Sequence, residues 1–191
     1  MTAPGAPAGG GTHGDPVTTG LVDVEREARE EPGFRLFTVL GWDEGRGALR
    51  RVHSSAPDAY PVGGEKIMPR DAPWVAQVLM QGRPYLGRDP VAVAAVFSDY
   101  ALIMSLGCGA VVNVPVLDGG HTLGVLNLLD SEGSYDEASV TAALPLATRS
   151  VPALRSWHAS GRPSVDASAD ASAAPSSVSA SGIPTPPEPR R

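Results

Sequence analysis

Asn113 and Asn127 lie in the most apolar stretch of the chain, where a side-chain amide among Val and Leu residues needs a reason. Burying such a group is costly unless its donors and acceptor are paired, so the two amides either hold each other and nearby backbone or face a ligand. A three-residue connection of Gly119, Gly120 and His121 would set them opposite each other on one face of a hairpin, and a two-residue connection would set them on opposite faces. Cys108, between Gly107 and Gly109, lies where a ligand could approach backbone closely, although a buried, inert thiol is the plainer expectation. A helix C-terminus beside it would raise its pKa further. Tyr60 and Trp74, with Gly63 and Gly64 between them, have the makings of an aromatic lid with glycine hinges, or of a loop packed on a core. Asp99, close to Phe97 and Tyr100, reads as a helix cap or a ligand contact. His53 is a candidate pocket imidazole, weighed against a surface role because no carboxylate stands at a diagnostic spacing. Arg50 and Arg51 alternate across a strand, and both are expected in solvent. No serine-centred triad, phosphate-binding glycine loop or metal-ligand spacing occurs.

These residues must be positioned by the elements around them. Val17–Glu31 carries Leu21, Val24 and Ala28 at helical spacing and stops at Pro32-Gly33. Phe34–Trp42 and Ala48–Ser54, joined by a polar glycine-containing connection, predict a β-hairpin. Ser55–Pro69 is rich in Pro and Gly and predicts a long crossing loop. A helix follows, with Asp71 as N-cap, Pro73 in its first turn and an apolar stripe of Trp74, Val75, Val78 and Leu79. A short strand fits Pro84–Gly87, a helix runs from Asp89 or Pro90 to Phe97, and another, capped by Ser98 or Asp99, ends at Gly107. Ala110–Leu117 and Thr122–Leu129 form a hairpin apolar on both faces, hence central in its sheet. Tyr135–Trp157 predicts a last helix, its regularity limited by Pro145 and Pro152.

The segment from Ser105 to Leu129 resembles the final hairpin of a GAF domain: a glycine-ended helix, a strand carrying Val114-Pro115-Val116, a tight polar turn, then Leu123-Gly124-Val125-Leu126-Asn127-Leu128. By element order the resemblance extends over Val17–Trp157. It implies an α+β fold, a central antiparallel sheet of five or six strands flanked by helices, with a small-molecule pocket between the sheet and the elements before the last hairpin. The ligand-binding residues it suggests are Asn113, Asn127, Cys108, Trp74, Tyr60, Asp99, Tyr100 and His53.

The family's ligand signatures are incomplete here, so no cofactor is named. The motif of cyclic-nucleotide members is broken after Asn127. Positions equivalent to the Cys-His pair of bilin-binding members fall on Ser98 and Asp99. Haem-binding members use a His, and His53 and His121 lack supporting context. The resemblance therefore implies a stand-alone sensor or regulatory domain that takes a small molecule and acts across a homodimer or on a separate output protein. The competing readings are an interaction module whose pocket is filled by its own side chains, and a free methionine sulfoxide reductase, for which Cys108 lacks a resolving partner.

The 191 residues allow one domain with tails: segments 1–16 and 158–191 are expected to be disordered around a domain at 17–157. A net charge of −6 offers no basic face for nucleic acid, and neither a signal peptide nor a membrane span is legible. A single cysteine suits a reduced, cytoplasmic setting, and Lys66 as the lone lysine suits a GC-rich bacterial genome.

Overall fold

The computed structural model describes residues 16–161. Six strands form one antiparallel sheet: β1 (Leu36–Asp43), β2 (Ala48–Ser54), β3 (Glu65–Ile67), β4 (Tyr85–Gly87), β5 (Ala110–Asp118) and β6 (His121–Asp130). Their spatial order is β3-β2-β1-β6-β5-β4. The expected hairpin β5–β6 is thus internal, and Ala110–Val116 is buried throughout, as strands covered on both faces must be.

Helices α1 (Pro16–Glu30) and α4 (Glu137–Ala159) cover one face. Leu21, Val24 and Ala28 of α1 and Ala143, Leu146, Leu154 and Trp157 of α4 pack with Phe37, Val39, Val112, Val114, Leu126 and Leu128. Asp136 caps α4, accepting from Ser139 N at 3.0 Å while Ser139 Oγ accepts from Asp136 N. Pro145 and Pro152 lie inside this 23-residue helix without ending it. Trp157 packs on β1 at Gly41, where a Cβ would stand 2.2 Å from Cζ3 of the indole ring. The apposed Gly124 leaves room for Leu40 O and Leu154 in the same way.

The other face is covered by the segment after β2, a helical segment Val75–Met80, α2 (Pro90–Val96) and α3 (Tyr100–Ser105). Asp89 caps α2 by accepting from Ala92 N at 2.8 Å. Val75–Met80 departs from the expected α-helix: it is π-helical, with Gln81 N donating to Ala76 O. The apolar stripe is where the pattern puts it, since Val75, Val78 and Leu79 are buried, but periodicity does not distinguish one helical ladder from another. The carbonyl of Leu79 instead accepts from Thr122 Oγ1 of β6 at 2.7 Å. Ser55–Pro69, expected to lack regular structure, contains β3, which pairs with β2 through Ala48–Arg50.

The segments expected to be disordered lie outside the described residues, except that α1 begins at Pro16 and α4 continues to Ala159. Among the described residues no helix is long and apolar enough to cross a membrane.

Two β-bulges decide which side chains reach which face. In β5–β6, Asp118 pairs with His121 across a two-residue turn, yet Asn113 still pairs directly with Asn127. Between Val116↔Gly124 and Leu117↔Thr122 the register shifts, leaving Leu123 as the extra residue. The bulge restores the parity that a two-residue turn would have lost. In β1–β2 the register passes from Val39↔His53 to Leu40↔Arg51, leaving Val52 extra. Strict alternation would put Arg51 and His53 on one face; the bulge sends them to opposite faces.

Candidate functional site

A cavity of about 30 Å³ lies between the sheet and the covering segment Ser55–Pro69, lined by Thr38, Arg51, Lys66, Trp74, Phe97 and Asn127 among others. Its volume is room for about one or two water molecules. The apolar part of its wall is Leu40 and Leu49 of the sheet, Met68, and Val96 at the end of α2.

A chain of four side chains runs along the sheet side of this cavity. Trp74 Nε1 donates to Asn113 Oδ1 at 2.9 Å, Asn113 Nδ2 to Asn127 Oδ1 at 2.7 Å, and Asn127 Nδ2 to Thr38 Oγ1 at 3.0 Å. Every step donates in one direction, so the chain ends on a hydroxyl at the cavity wall whose own proton remains to be given. Both amides are thereby satisfied, which is the condition for holding them 0% and 1% exposed inside a valine- and leucine-rich hairpin.

Arg51 is the buried charge of the site. Its guanidinium lies over the Tyr60 ring, 3.5 Å from the centroid, and Nη1 donates to Pro61 O at 2.5 Å. Backbone bonds in both directions tie it to the glycine pair of the covering segment: Arg51 N donates to Gly64 O and Gly63 N to Arg51 O. Gly64 admits the guanidinium, since a Cβ there would stand 3.2 Å from Nη1. Arg51 is 8% exposed, and its Nε has no hydrogen-bond partner among the described residues. The expectation of a solvated Arg51 is therefore corrected.

Asp99 fastens the covering segment. It stands at the N-terminus of α3 but caps nothing with its side chain. One carboxylate oxygen accepts from Tyr60 Oη at 2.6 Å, and the other pairs with Lys66 Nζ. Burial pushes the Asp99 carboxyl up, but the bonds from Lys66 and Tyr60 outweigh it and hold the group below the usual carboxylate range. Burial lowers the Lys66 pKa, with Arg51 adding to the effect and Asp99 opposing it. Tyr60 is raised by burial and by its bond to Asp99.

Of the residues expected at a site, Asn127, Trp74 and Tyr60 line the cavity, Asn113 stands behind them as the link between Trp74 and Asn127, and Asp99 acts through Tyr60 and Lys66. Cys108 is fully buried in an adjoining cluster with Tyr60, Phe97, Ile103 and Leu129. Burial there, reinforced by Asp130, pushes its thiol up to about 11, so it is protonated near neutrality. Tyr100 is 48% exposed on α3 and is not among the cavity lining. His53 lies on the helix-covered face, its Nε2 2.8 Å from Glu25 of α1 and its ring edge-on to Phe37. The carboxylate missing from its sequence neighbourhood comes from another element. The cavity lining also holds Thr38, Arg51 and Lys66, which the sequence does not single out as candidates. Thr38 carries no distinguishing pattern, Arg51 needed the bulge, and Lys66 signals itself only as the one lysine. Among the described residues no group of three His, Cys, Asp or Glu side chains could hold a metal ion.

A family model for the GAF domain matches residues 23–154. None of the curated proteins searched matches the chain. Solved structures of the same fold include the GAF domain/HD domain protein of Geobacter sulfurreducens, 13% identical, with a TM-score of 0.60, covering 75% of this chain and 95% of that one. The GAF domain of a two-component sensor histidine kinase from Bacillus halodurans is 11% identical at a TM-score of 0.60, covering 76% and 97%. A red/green cyanobacteriochrome in its red-light-absorbing state is 16% identical at a TM-score of 0.60, covering 78% and 99%. At these identities the likeness is one of fold.

Proposed function

The chain belongs to the GAF domain family, and on that footing we propose that it is a sensor or regulatory domain that takes a small molecule between the sheet and the segment Ser55–Pro69. The observation that carries this reading is the Nε of buried Arg51, without a partner among the described residues, in a side chain that lines a cavity. An N–H donor shut away from water costs about 1–3 kcal/mol when it bonds to nothing, and a ligand acceptor removes that penalty. The small cavity belongs to the closed state; the clasp of Tyr60 and Lys66 on Asp99 loosens when ligand enters. The bound state then acts on a separate output protein or across a homodimer formed by the outer faces of α1 and α4, where Val22 and Leu144 are exposed.

The second reading is an interaction module with a filled pocket, favoured by the inward packing of Tyr60 and Trp74, 4% and 9% exposed. Reductase chemistry at Cys108 has less support, because its buried thiol does not ionise near neutral pH. Native mass spectrometry of gently purified protein, compared with the same sample denatured, separates the first two. A retained small molecule is the expected result. Absence of any adduct after purification, and after soaking with small acids, amides and amines, overturns the ligand-binding reading in favour of the filled module.

A further inference from the structure

The chemistry of the wall narrows what this cavity takes; the argument rests on the reading that it takes a ligand. Its polar groups offer donors and almost no free acceptor. Asn113 Oδ1 is occupied by Trp74, Asn127 Oδ1 by Asn113, and both Asp99 oxygens by Tyr60 and Lys66. What the lining residues have left to give is the Thr38 hydroxyl proton, Arg51 Nε–H and the Lys66 ammonium, three groups that can donate a hydrogen bond.

Charge points the same way. Arg51 and Lys66 line the cavity, and among the described residues Asp99 is the one carboxylate bound to either, leaving one positive charge in excess. Glu65, next to Lys66 along β3, is turned outward and held by Arg46 in a two-bond pair at 3.0 and 2.6 Å. A single anionic group therefore balances the site, whereas a phosphate monoester would bring a charge of about −1.5 to −2. The rest of the lining, Leu40, Leu49, Met68, Trp74, Val96 and Phe97, is suited to an apolar body and has nothing to pair with sugar hydroxyls.

We propose that the ligand is a small monocarboxylate with an apolar body, its carboxylate received by Arg51 Nε–H and by one N–H of the Lys66 ammonium, which keeps Asp99 as its own counter-ion. Arg is the side chain matched to a planar carboxylate, and its guanidinium is already held by Tyr60 and Pro61, so little ordering remains to be done on binding. Because the Lys66 ammonium is then shared between Asp99 and the ligand, the same event that neutralises the cavity loosens the clasp on the covering segment.

The test is calorimetric titration of the full chain with phenylacetate and 4-methylpentanoate, against phenylacetamide and 4-methylpentanamide of the same shape, phenethylamine and inorganic phosphate. Saturable 1:1 binding of a carboxylate, at least tenfold tighter than its amide and with no binding of phosphate, is the expected result. Arg51→Gln should lower carboxylate affinity at least tenfold and leave the amide unchanged. Should that variant not fold, Lys66→Gln at the sheet edge is expected to do the same, and the single Cε resonance of lysine labelled with ¹³C at that carbon in the unaltered chain should move with carboxylate but not with amide. Equal or tighter binding of the amides or the amine overturns the proposal and leaves the ligand-binding reading standing. If no probe binds, the mass spectrometric adduct decides: a retained acid supports the proposal, a retained neutral or basic molecule overturns it alone, and no retained molecule overturns both readings.

Discussion

Asn113 donates to Asn127 directly across the β5–β6 ladder, 2.7 Å from Nδ2 to Oδ1, and each amide reaches a different element beyond that shared bond. Asn113 accepts from Trp74 in the covering layer, and Asn127 donates to Thr38 of β1. The pair thus ties the covering layer to two neighbouring strands through the middle of an apolar sheet.

Replacing Asn113 by Leu leaves both the Trp74 indole N–H and Asn127 Oδ1 without partners in a buried setting. The expected cost is about 1–3 kcal/mol of folding stability for each orphaned group that finds no new partner. Urea denaturation should show a lower midpoint at an unchanged m-value. An unaltered midpoint would mean that the chain of donors contributes nothing to folding.

Release of Asp99 is expected to act locally. Asp99→Asn removes the charge that holds Lys66 and weakens the acceptor for Tyr60, so amide hydrogen exchange over Ser55–Pro69 should accelerate by roughly five- to thirtyfold, about 1–2 kcal/mol for charge-assisted bonds. Exchange in β5 and β6 should be much less affected. Acid has the same sign: the folded-state pKa of Asp99 is held below its unfolded value, so the contribution is complete above the ordinary carboxylate range and is lost as pH falls below about 4.

Cys108 gives a pH dependence in the alkaline direction. Its thiol is raised from 9.0 to about 11 in the folded protein, so the folded state retains a proton that the unfolded state releases. Stability should therefore fall as pH rises from about 9 toward 11. Tyr60 is raised by burial too, so the readout is the difference between the native chain and Cys108→Ala in urea midpoints at pH 8, 9 and 10. The native chain should lose more. Parallel curves would show that the thiol ionises as readily folded as unfolded.

The contact between α4 and β1 is testable through Gly41. A methyl group there would stand 2.2 Å from the Trp157 ring, so Gly41→Ala should destabilise by about 1–3 kcal/mol through overpacking. Combining it with Trp157→Leu, which removes the ring, should recover part of the loss in a double-mutant cycle. Strictly additive losses would place the strain elsewhere.

Much of the fold is legible in the sequence because two periodicities carry it. The stripe of Leu21, Val24 and Ala28 is buried in α1, and the valine-rich run of β5, interrupted by Asn113, is internal to the sheet. The π-helical turn at Val75–Met80 was not legible, since its apolar pattern also suits an α-helix, and β3 is only three residues long in a segment rich in Pro and Gly. The site was legible in part. Asn127 stands out as polar in an apolar strand, and Tyr60 and Trp74 as aromatics flanking the Gly63-Gly64 pair, whereas alternation alone puts Arg51 and His53 on one face and the Val52 bulge separates them. A bulge is a property of pairing between two strands, and no periodicity within one of them announces it.

That bulge also bears on how cavity chemistry can diverge by descent. What puts a guanidinium under the covering segment, and an imidazole among the helices, is the register shift at Val52 as much as the identity of either side chain. Loss of a single codon at Val52 would return this edge of the sheet to simple alternation with Arg51 and His53 adjacent and still on opposite faces, whereas a regular ladder that kept Val52 would put both basic groups on one face. Comparison of related chains at this site therefore has to begin with gaps, because an alignment scored on residue identity alone would pair side chains that face opposite layers.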